Sequence, residues 1–385
     1  MKRAVIITGN KYPCEDAGAI RQHATAKLIQ ELGYSVVVLG YGKATQNKLS
    51  EFDGVAYISF RPNSDNILVR MVYRAVSAAR MFNYLKRNYK DVSLLLVTDT
   101  LESAFTKAKK FCKNKDVILI HDSVEWFSPE QFKNGEKAWS YRARDKINRI
   151  HVAKGWRVMA ISSYLEEHFA KQCDKTVRIP VIMDIDSIEC RTEIDKTGNK
   201  IKFAYVGSPG KKDYLKNIIE GFELLSDNLL EKVEFHVVGV NEQQLISMCD
   251  VKETSLKKLS GVIIAHGRLP HKEAIEFVRD ADFSLLVRDD SLRYAKAGFP
   301  TKIVESLACG TPPICNLSSD LGMYLNENNA VIADDHYPQS VQRALEKALA
   351  MSETEREKMR VEARKQAETS FDYKNHVSEM ARLIK

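Results

Sequence analysis

The chain has 385 residues, of which 44% are hydrophobic and 28% charged, proportions typical of a soluble globular protein with two or three domains. Its seven cysteines are scattered and form no C-x-x-C pair, which argues against a disulfide framework or a zinc site. We find no uninterrupted apolar run of about 18 residues and no signal-peptide core, so we expect a cytoplasmic protein without a membrane span.

The positive charge is concentrated in the first half of the chain. Residues 1–190 contain 30 Lys and Arg against 21 Asp and Glu, a net charge of +9, which leaves −2 for the remaining residues. This asymmetry predicts an anionic partner for the first half.

The first half alternates short β-rich runs with amphipathic stretches, which predicts a parallel sheet with helices on both faces. The first helix is predicted near residues 18–33, with Gly33 just past its C-terminal end. The predicted strands are residues 4–8, 35–39, 55–60, 94–98, 117–121, 158–161 and 177–179.

A polar stretch without periodicity, residues 184–200, predicts a linker before a second strand–helix series. Its predicted strands are residues 201–206, 233–238, 262–265, 283–287, 313–315 and 331–333. The predicted fold class is α/β, with two Rossmann-like doubly wound domains facing a central cleft. We assign residues 1–185 to the first domain, with a C-terminal helix over 371–385 packing back on it, and residues 196–370 to the second.

Three glycines of the second series, Gly207, Gly239 and Gly267, lie at or just beyond the C-terminal end of a predicted strand. Ligands bind at this edge of open parallel sheets, and glycine allows close backbone approach. A tight turn explains any one of them, but three on one edge predict a ligand cleft.

The most informative stretch is residues 293–316, RYAKAGFPTKIVESLACGTPPICN. Pro300 lies near a predicted helix start, where free N–H groups form an anion site. Lys302 lies in this first turn, where the helix dipole disfavours a cation unless an anion binds; a side chain that reaches solvent explains it equally well. Glu305 lies on the same helix face as Lys302. Its carboxylate either accepts hydrogen bonds from two sugar hydroxyls or is simply favoured near the helix start by the helix dipole.

A second stretch, residues 203–217, reads FAYVGSPGKKDYLKN and predicts a strand, a glycine loop and a helix opening with Lys211 and Lys212. The helix dipole again implies an anion beside these two lysines. Arg288 ends a further strand, where it either contacts the same anion or pairs with a neighbouring aspartate.

These two stretches resemble the donor site of retaining GT-B-fold glycosyltransferases, a family 4-like group that includes bacterial capsule, O-antigen and exopolysaccharide enzymes. In that family a Glu before Leu-Ala-x-Gly-x-Pro binds the nucleotide ribose, and residues 305–312 here read ESLACGTP. The fuller pattern has another Glu eight residues earlier, where this chain has Ala297. The chain resembles the single-Glu subgroup, which has Gly-x-Pro-x-Lys before the Glu.

The resemblance implies a nucleotide-diphosphate sugar as donor. The implied donor-binding residues are Gly207, Ser208, Lys212, Gly267, Arg268, Arg288, Gly298, Phe299, Pro300, Thr301, Lys302 and Glu305. Many members carry an Arg where this chain has Ser208, and we expect Arg288 to substitute for it. His266, next to Gly267, is expected to be structural.

The resemblance also implies an acceptor side in the first half. The loop over residues 9–21 resembles the family's glycine-containing loop through Gly18 and Arg21. His121 is expected near the transferred sugar, and Glu125 either orients the acceptor or lies solvated in a loop. The run of His121 with the next Asp and Ser cannot form a catalytic triad, because adjacent side chains point in different directions.

The implied reaction moves a sugar, with retention, to a glycan or lipid-linked acceptor in cell-surface polysaccharide synthesis. No metal and no cofactor are expected, since the nucleotide-sugar is a substrate. We identify no carboxylate pair of the kind that retaining hydrolases use. Stabilisation of the leaving diphosphate is therefore expected to dominate, with His121, Lys212 and Arg288 as catalytic residues.

Residues 68–90 and 141–157 combine basic with apolar side chains. This combination suits peripheral binding to an anionic membrane on its inner face, or core-facing helices with solvated basic faces. A non-catalytic nucleotide- or sugar-binding relative is an alternative. A dinucleotide-dependent oxidoreductase is disfavoured because no G-x-G-x-x-G follows the first strand, and nucleic acid is not expected because no recognition motif accompanies the charge.

Overall fold

The computed structural model describes residues 2–13, 16–42, 48–193 and 200–385, and the chain forms two compact units. The first unit comprises Met1–Asp184 and Asp372–Lys385, and the second comprises Ile185–Phe371. Part of the linker predicted over 184–200, residues 194–199, lies outside the described residues. No described helix is long and apolar enough to cross a lipid bilayer.

The first unit is built on one eight-stranded sheet. Its strands are β1 (Lys2–Thr8), β2 (Tyr34–Gly40), β3 (Ser50–Phe52), β4 (Val55–Ser59), β5 (Val92–Thr98), β6 (Ile118–Ser123), β7 (Arg157–Ala160) and β8 (Lys175–Arg178). They lie in the order β3-β4-β2-β1-β5-β6-β7-β8, and all pairs are parallel except β3–β4. The central strands are buried on both faces, which explains their nearly continuous apolar runs.

The helices of the first unit connect these strands and cover the sheet. They are α1 (Ala17–Glu31), α2 (Ile67–Asn88), α3 (Glu102–Cys112), α4 (Trp139–Lys146), α5 (Ser163–Ala170) and, from the C-terminus of the chain, α15 (Val377–Ile384). Gly33 follows the end of α1 with φ +81°, as the sequence predicts.

Helix α15 packs on the first unit although it ends the chain. Met380 and Leu383 are fully buried in the same core as strands β1 and β2. Arg157 on β7 donates to the carbonyl oxygens of Leu383 and Ile384 at 2.7 and 2.5 Å. Apolar burial and charge-assisted capping of the last turn therefore hold this helix in place.

Strand β3 is absent from the sequence prediction. It forms an antiparallel hairpin with β4 through Asp53 and Gly54, which have φ +45° and +74°. Asp-Gly is the residue pair that a tight hairpin turn favours. A three-residue strand has too little periodicity to be recognised, but this dipeptide was an available signal.

The second unit has one six-stranded sheet in which every pair is parallel. Its strands are β9 (Ile201–Val206), β10 (Val233–Val238), β11 (Ile263–Gly267), β12 (Phe283–Leu286), β13 (Pro313–Asn316) and β14 (Val331–Ala333), in the order β11-β10-β9-β12-β13-β14. Its helices are α6 (Leu215–Glu223), α7 (Asp227–Leu230), α8 (Glu242–Cys249), α9 (Glu253–Lys258), α10 (His271–Asp280), α11 (Arg293–Ala297), α12 (Thr301–Ala308), α13 (Pro338–Leu349) and α14 (Glu353–Ser370). The predicted α/β class with two Rossmann-like sheets is confirmed.

Candidate functional site

The carboxyl edge of the second sheet is lined by the three glycines that the sequence singles out. Gly207, Gly239 and Gly267 have φ of +122°, +116° and +69°, a region that side chains with a Cβ rarely adopt. The N–H of Gly239 donates to the carbonyl of Gly267 at 2.7 Å, and a Cβ on Gly239 would lie 2.4 Å from the Gly207 carbonyl oxygen. The three loops are therefore in direct backbone contact along one edge, as predicted.

A buried ion cluster lies directly beneath Gly207. Asp213 is buried, and its carboxylate binds Arg288 Nε at 2.8 Å and Lys302 Nζ at 2.5 Å. The Tyr205 hydroxyl donates to the same carboxylate at 2.9 Å. A Cβ on Gly207 would lie 2.4 Å from Lys302 Cε, so glycine is required for the lysine to reach the aspartate.

The charges of this cluster hold Asp213 ionised. Burial opposes its ionisation, but Arg288 and then Lys302 outweigh burial and lower the pKa of Asp213 to about 2. Burial, and next the Asp213 charge, raise the pKa of Tyr205. One anion thus fixes two cations at the sheet edge, and the three groups carry a net positive charge.

The interpretations of Lys302 and Arg288 that the sequence offered as alternatives to anion binding need correction. Lys302 does lie in the first turn of α12, but its head binds Asp213, the Tyr205 hydroxyl and, at 3.4 Å, the Ser208 carbonyl rather than extending into solvent. Arg288, two residues beyond the end of β12, pairs with Asp213 rather than with the aspartates that follow it. Asp213 was missed because it reads as one polar residue in a lysine-rich turn.

Asn316 is a second residue that the sequence analysis missed. Its side chain accepts from the backbone N–H of Arg288 at 2.9 Å and donates to the backbone carbonyl of Arg288 at 2.8 Å. This reciprocal pair fixes the loop after β12 to the end of β13. A polar residue closing a buried strand was the available signal.

Lys211 and Lys212 do not open a helix, contrary to the prediction. Helix α6 begins at Leu215, and both lysines lie in the preceding turn, where the N–H groups of Lys212 and Asp213 approach the Pro209 carbonyl at 3.3 Å. The turn places Asp213 inward and leaves Lys211 exposed. Lys212 is half-buried, and its carbonyl accepts from the Tyr294 hydroxyl at 2.9 Å. The backbone N–H of Lys212 therefore belongs to a turn and not to the start of a helix. The helix dipole thus gives no reason to expect an anion beside this lysine.

Glu305 lies one turn after Lys302 on α12 and is largely buried. Its Oε1 is 3.3 Å from Nε2 of His271, the first residue of α10, and its side chain is 17% exposed against 51% for His271. The hydrogen bond to Glu305 raises the pKa of His271. The sequence analysis did not single out His271, since a histidine at a helix start has no distinctive pattern.

The loop before α12 contains a buried aromatic side chain. Phe299 packs against the rings of Tyr324 and Phe371, with centroids 5.7 Å apart in both cases, so its ring belongs to the core and its role in donor binding stays a prediction. Gly298 ends α11, Pro300 precedes α12, and Thr301 begins α12.

Ala297 is fully buried at the end of α11. A glutamate at this position would place a carboxylate in the interior of the unit, so the local packing fits the single-Glu pattern.

At the neighbouring edge, His266 binds His236 with ring nitrogens 3.0 Å apart, consistent with a structural role. Arg268 follows in an exposed loop.

One group of residues near this edge has the composition of a metal site. Asp289, Asp290 and His336 each offer a ligand atom, and these atoms lie within 4.8 Å of one another. Asp289 already accepts from the backbone N–H and hydroxyl of Ser291 at 3.0 and 2.6 Å, so one of its oxygens serves the turn.

In the first unit, Arg21 is corrected from an acceptor contact to a structural residue. It is buried and forms an ion pair with Asp122 at 2.9 Å. Its remaining donors bind the carbonyl oxygens of Pro180 and, at 3.2 Å, Ile179. Gly18 lies in the first turn of α1, where a Cβ would meet the Asn10 side chain at 2.4 Å. Residues 14–15 of this loop lie outside the described residues.

His121 and Glu125 line one pocket at the end of β6. The pocket also contains Asp99 and Arg144. Asp99 has φ +37°, uncommon for a non-glycine residue. Asp99 was missed because it follows the predicted strand 94–98 and belongs to no recognised motif.

His121 is neutral and held in one tautomer. Burial lowers its pKa to about 4. Its Nδ1 lies 3.0 Å from the Val97 carbonyl, so Nδ1 carries the proton and Nε2 is an acceptor. Asp122 binds Arg21 instead, which agrees with the exclusion of a triad.

The helix in the basic and apolar stretch over residues 68–90 differs along its length in what its side chains contact. Arg74 and Arg80 bind backbone carbonyls of Gly9 and Phe60 at 2.6 and 3.2 Å, so they belong to the protein's own packing. The first half of α2 instead exposes an apolar stripe, with side chains 42–71% exposed: Ile67, Leu68, Met71, Val72 and Val76.

Comparison with known proteins agrees with this geometry. Residues 186–366 match the family described as "Glycosyl transferases group 1". A glycosyltransferase of Methanocaldococcus jannaschii, itself uncharacterised, is 24% identical over 253 residues, which are 62% of this chain and 60% of that protein. The matched residues lie within the second unit.

Two solved structures share the fold across the chain. Sucrose-phosphate synthase from Thermosynechococcus elongatus has a TM-score of 0.74 at 14% identity and covers 100% of this chain and 98% of its own. HepE from Anabaena, in complex with UDP and glucose, has a TM-score of 0.66 at 12% identity and covers 99% of both chains. The chain has the GT-B fold.

Proposed function

We propose that the protein is a retaining hexosyltransferase that uses a nucleotide-diphosphate sugar. The observation that carries the proposal is the second unit's sheet edge, where Gly207, Lys302, Arg288 and Glu305 occur together within a glycosyl transferases group 1 domain. The HepE structure, named as a complex with UDP and glucose, supports this ligand class.

The proposed chemistry depends on the leaving group. Lys302 and Arg288 share one carboxylate, so their combined charge exceeds what Asp213 neutralises. The excess positive charge of Lys302 and Arg288, together with the charge of Lys212, stabilises the diphosphate as its bond to the sugar C1 breaks. The acceptor oxygen forms the new bond to C1 on the same face, and its proton passes to the departing phosphate oxygen. The charge is supplied by side chains in this scheme, without a metal or cofactor.

The first unit is proposed to bind the acceptor at the pocket lined by Asp99, His121 and Glu125. A carboxylate can accept a hydrogen bond from a sugar hydroxyl, and so can Nε2 of neutral His121. Because the pKa of His121 is about 4, this residue serves as a hydrogen-bond acceptor and not as a base near neutral pH. A glycan or lipid-linked acceptor of cell-surface polysaccharide synthesis fits the resemblance and remains part of the proposal.

A transfer assay tests the function. UDP-glucose and other nucleotide-sugars would be incubated with the purified protein and candidate acceptors, with release of nucleoside diphosphate as the readout and the product anomer read by NMR. We expect retention, and we expect Lys212→Ala to lower kcat by about 10- to 100-fold because a charge-assisted phosphate contact is lost. Lys211→Ala is the matched control, since that exposed lysine is its sequence neighbour. Inverted product would refute retention.

We further propose that the first half of α2 binds an anionic membrane surface at the inner face of the cell membrane. Its apolar stripe is exposed, and Lys86, Arg87 and Lys90 follow on exposed positions. Flotation with phosphatidylglycerol vesicles should recover the protein, whereas Leu68→Ser should weaken recovery. Leu49→Ser, which changes another exposed leucine, should not. Equal flotation with neutral and anionic vesicles would contradict the proposal.

A further inference from the structure

The pair formed by Glu305 and His271 lies on two separate helices of the second unit. Glu305 is on α12, and His271 is the first residue of α10, which packs against α12. Oε1 of Glu305 meets Nε2 of His271 at 3.3 Å, while Oε2 has no hydrogen-bond partner among the described residues. One carboxylate oxygen is therefore oriented by protein, and the other remains available to a ligand.

We propose that His271 is a positioning residue that holds Glu305 in the orientation needed to accept the donor's ribose hydroxyls. This inference rests on the proposed donor site. A carboxylate has roughly four lone-pair positions, so one bond to His271 leaves capacity for both hydroxyls of a ribose diol. Because the Glu305 carboxylate is already fixed before the donor binds, donor binding costs less side-chain entropy.

The charge of the pair adds a second consequence. A nucleotide-sugar carries two negative charges on its diphosphate, and ionised Glu305 adds a third beside them. Protonated His271 neutralises Glu305, so the donor should bind more tightly to the imidazolium form. The hydrogen bond to Glu305 raises the pKa of His271 above 6.5, and the positive charge is lost as pH rises through that raised value.

The other titratable groups near the pair do not replace this contact. Among the described residues, none of their side chains has a hydrogen bond or ion pair with the side chain of His271 or Glu305: Lys272, Glu273, Glu276 and Arg279 on α10; Lys302 and Cys309 on α12; Lys202 on β9; Glu234 and His236 on β10; Arg360 and Arg364 on α14. Burial raises the pKa of Cys309 to about 12, so its thiol stays neutral. The Lys302 head is directed at Asp213.

The test is calorimetric binding of UDP-glucose, with GDP-mannose beside it, between pH 5.5 and 8.5. An intact nucleotide-sugar has no phosphate monoester that titrates in this range. The wild-type affinity should fall as pH rises. His271→Ala should bind about ten-fold more weakly and lose the pH dependence, whereas His271→Gln keeps an N–H donor and should recover most of the affinity without the pH dependence. Lys272→Ala is the control on the same helix turn.

A second comparison separates positioning from a direct ligand contact. Glu305→Ala should weaken donor binding more than His271→Ala does. In that background, His271→Ala should cause no further loss of the residual affinity, measured at high donor concentration, because the carboxylate that it orients is gone. Wild-type affinity and pH dependence in His271→Ala would overturn the inference while leaving the donor site intact if Glu305→Ala still strongly weakens binding. Failure of the wild-type protein to bind either nucleotide-sugar would overturn the proposed function and this inference together.

Discussion

Replacing Asp213 with asparagine tests the electrostatic core of the donor site. Asp213→Asn keeps the shape of the side chain but removes the charge shared by Arg288 and Lys302. The side chains of these three residues are 1%, 11% and 24% exposed, so water replaces the lost anion poorly. Removing one partner of a buried pair costs about 3–5 kcal/mol.

The pKa of Asp213 gives an independent magnitude. A fall from 3.8 to about 2 corresponds to roughly 2 kcal/mol in favour of the folded ionised form. We therefore expect Asp213→Asn to lower the free energy of unfolding by about 2–4 kcal/mol at pH 7, and to lower the Tm by roughly 4–16 °C. Since the folded pKa is depressed, this contribution is present above about pH 4 and is lost as pH falls toward 2.

The assay is thermal and chemical denaturation of wild type and Asp213→Asn from pH 7 down to pH 2.5. Asp250→Asn is the matched control, because Asp250 pairs with Lys216 at the surface and its loss should leave stability nearly unchanged. Inorganic pyrophosphate should stabilise Asp213→Asn more than wild type, since the two cations lack their anion. Equal stability of Asp213→Asn and wild type at pH 7, or a difference that persists unchanged at pH 2.5, would refute the reasoning.

Three further predictions follow from individual residues. Gly207→Ala should cost about 1–3 kcal/mol of stability and weaken donor binding, because it combines positive φ with a clash at Lys302; Gly261→Ala, with φ +83° and open space around it, should show the backbone cost alone. NMR of labelled His121 should find the Nδ1-protonated tautomer with a pKa near 4, and a value near 7 would contradict its role as an acceptor. Arg21→Ala should destabilise the protein by about 3 kcal/mol while donor affinity stays unchanged, whereas a change in acceptor KM without destabilisation would restore its acceptor role.

The sequence predicted the fold well because its signals are local. Continuous apolar runs mark the buried parallel strands, and Gly33, Gly207 and Gly239 mark backbone positions that require positive φ. The hairpin strand β3 escaped detection because three residues carry almost no periodicity.

The candidate site was only partly predictable, because its contacts are long-range. Lys302 and Arg288 were identified from their positions, but their shared partner Asp213 lies about 75 or more residues away in sequence and carries no pattern of its own. The same holds for His271 beside Glu305. Lys212 was placed at a helix start, whereas α6 begins three residues later at Leu215, because a helix boundary is poorly marked in the sequence.

The most direct test of the central claim is a binding titration with UDP-, GDP-, ADP- and CMP-linked sugars, repeated with Glu305→Ala and, as a control, with Glu273→Ala on the exposed face of α10. We predict that one nucleotide class binds wild type and Glu273→Ala, and that Glu305→Ala strongly weakens this binding. Equal affinity in wild type and Glu305→Ala, or the absence of binding by any nucleotide-sugar, would contradict a donor site at this sheet edge.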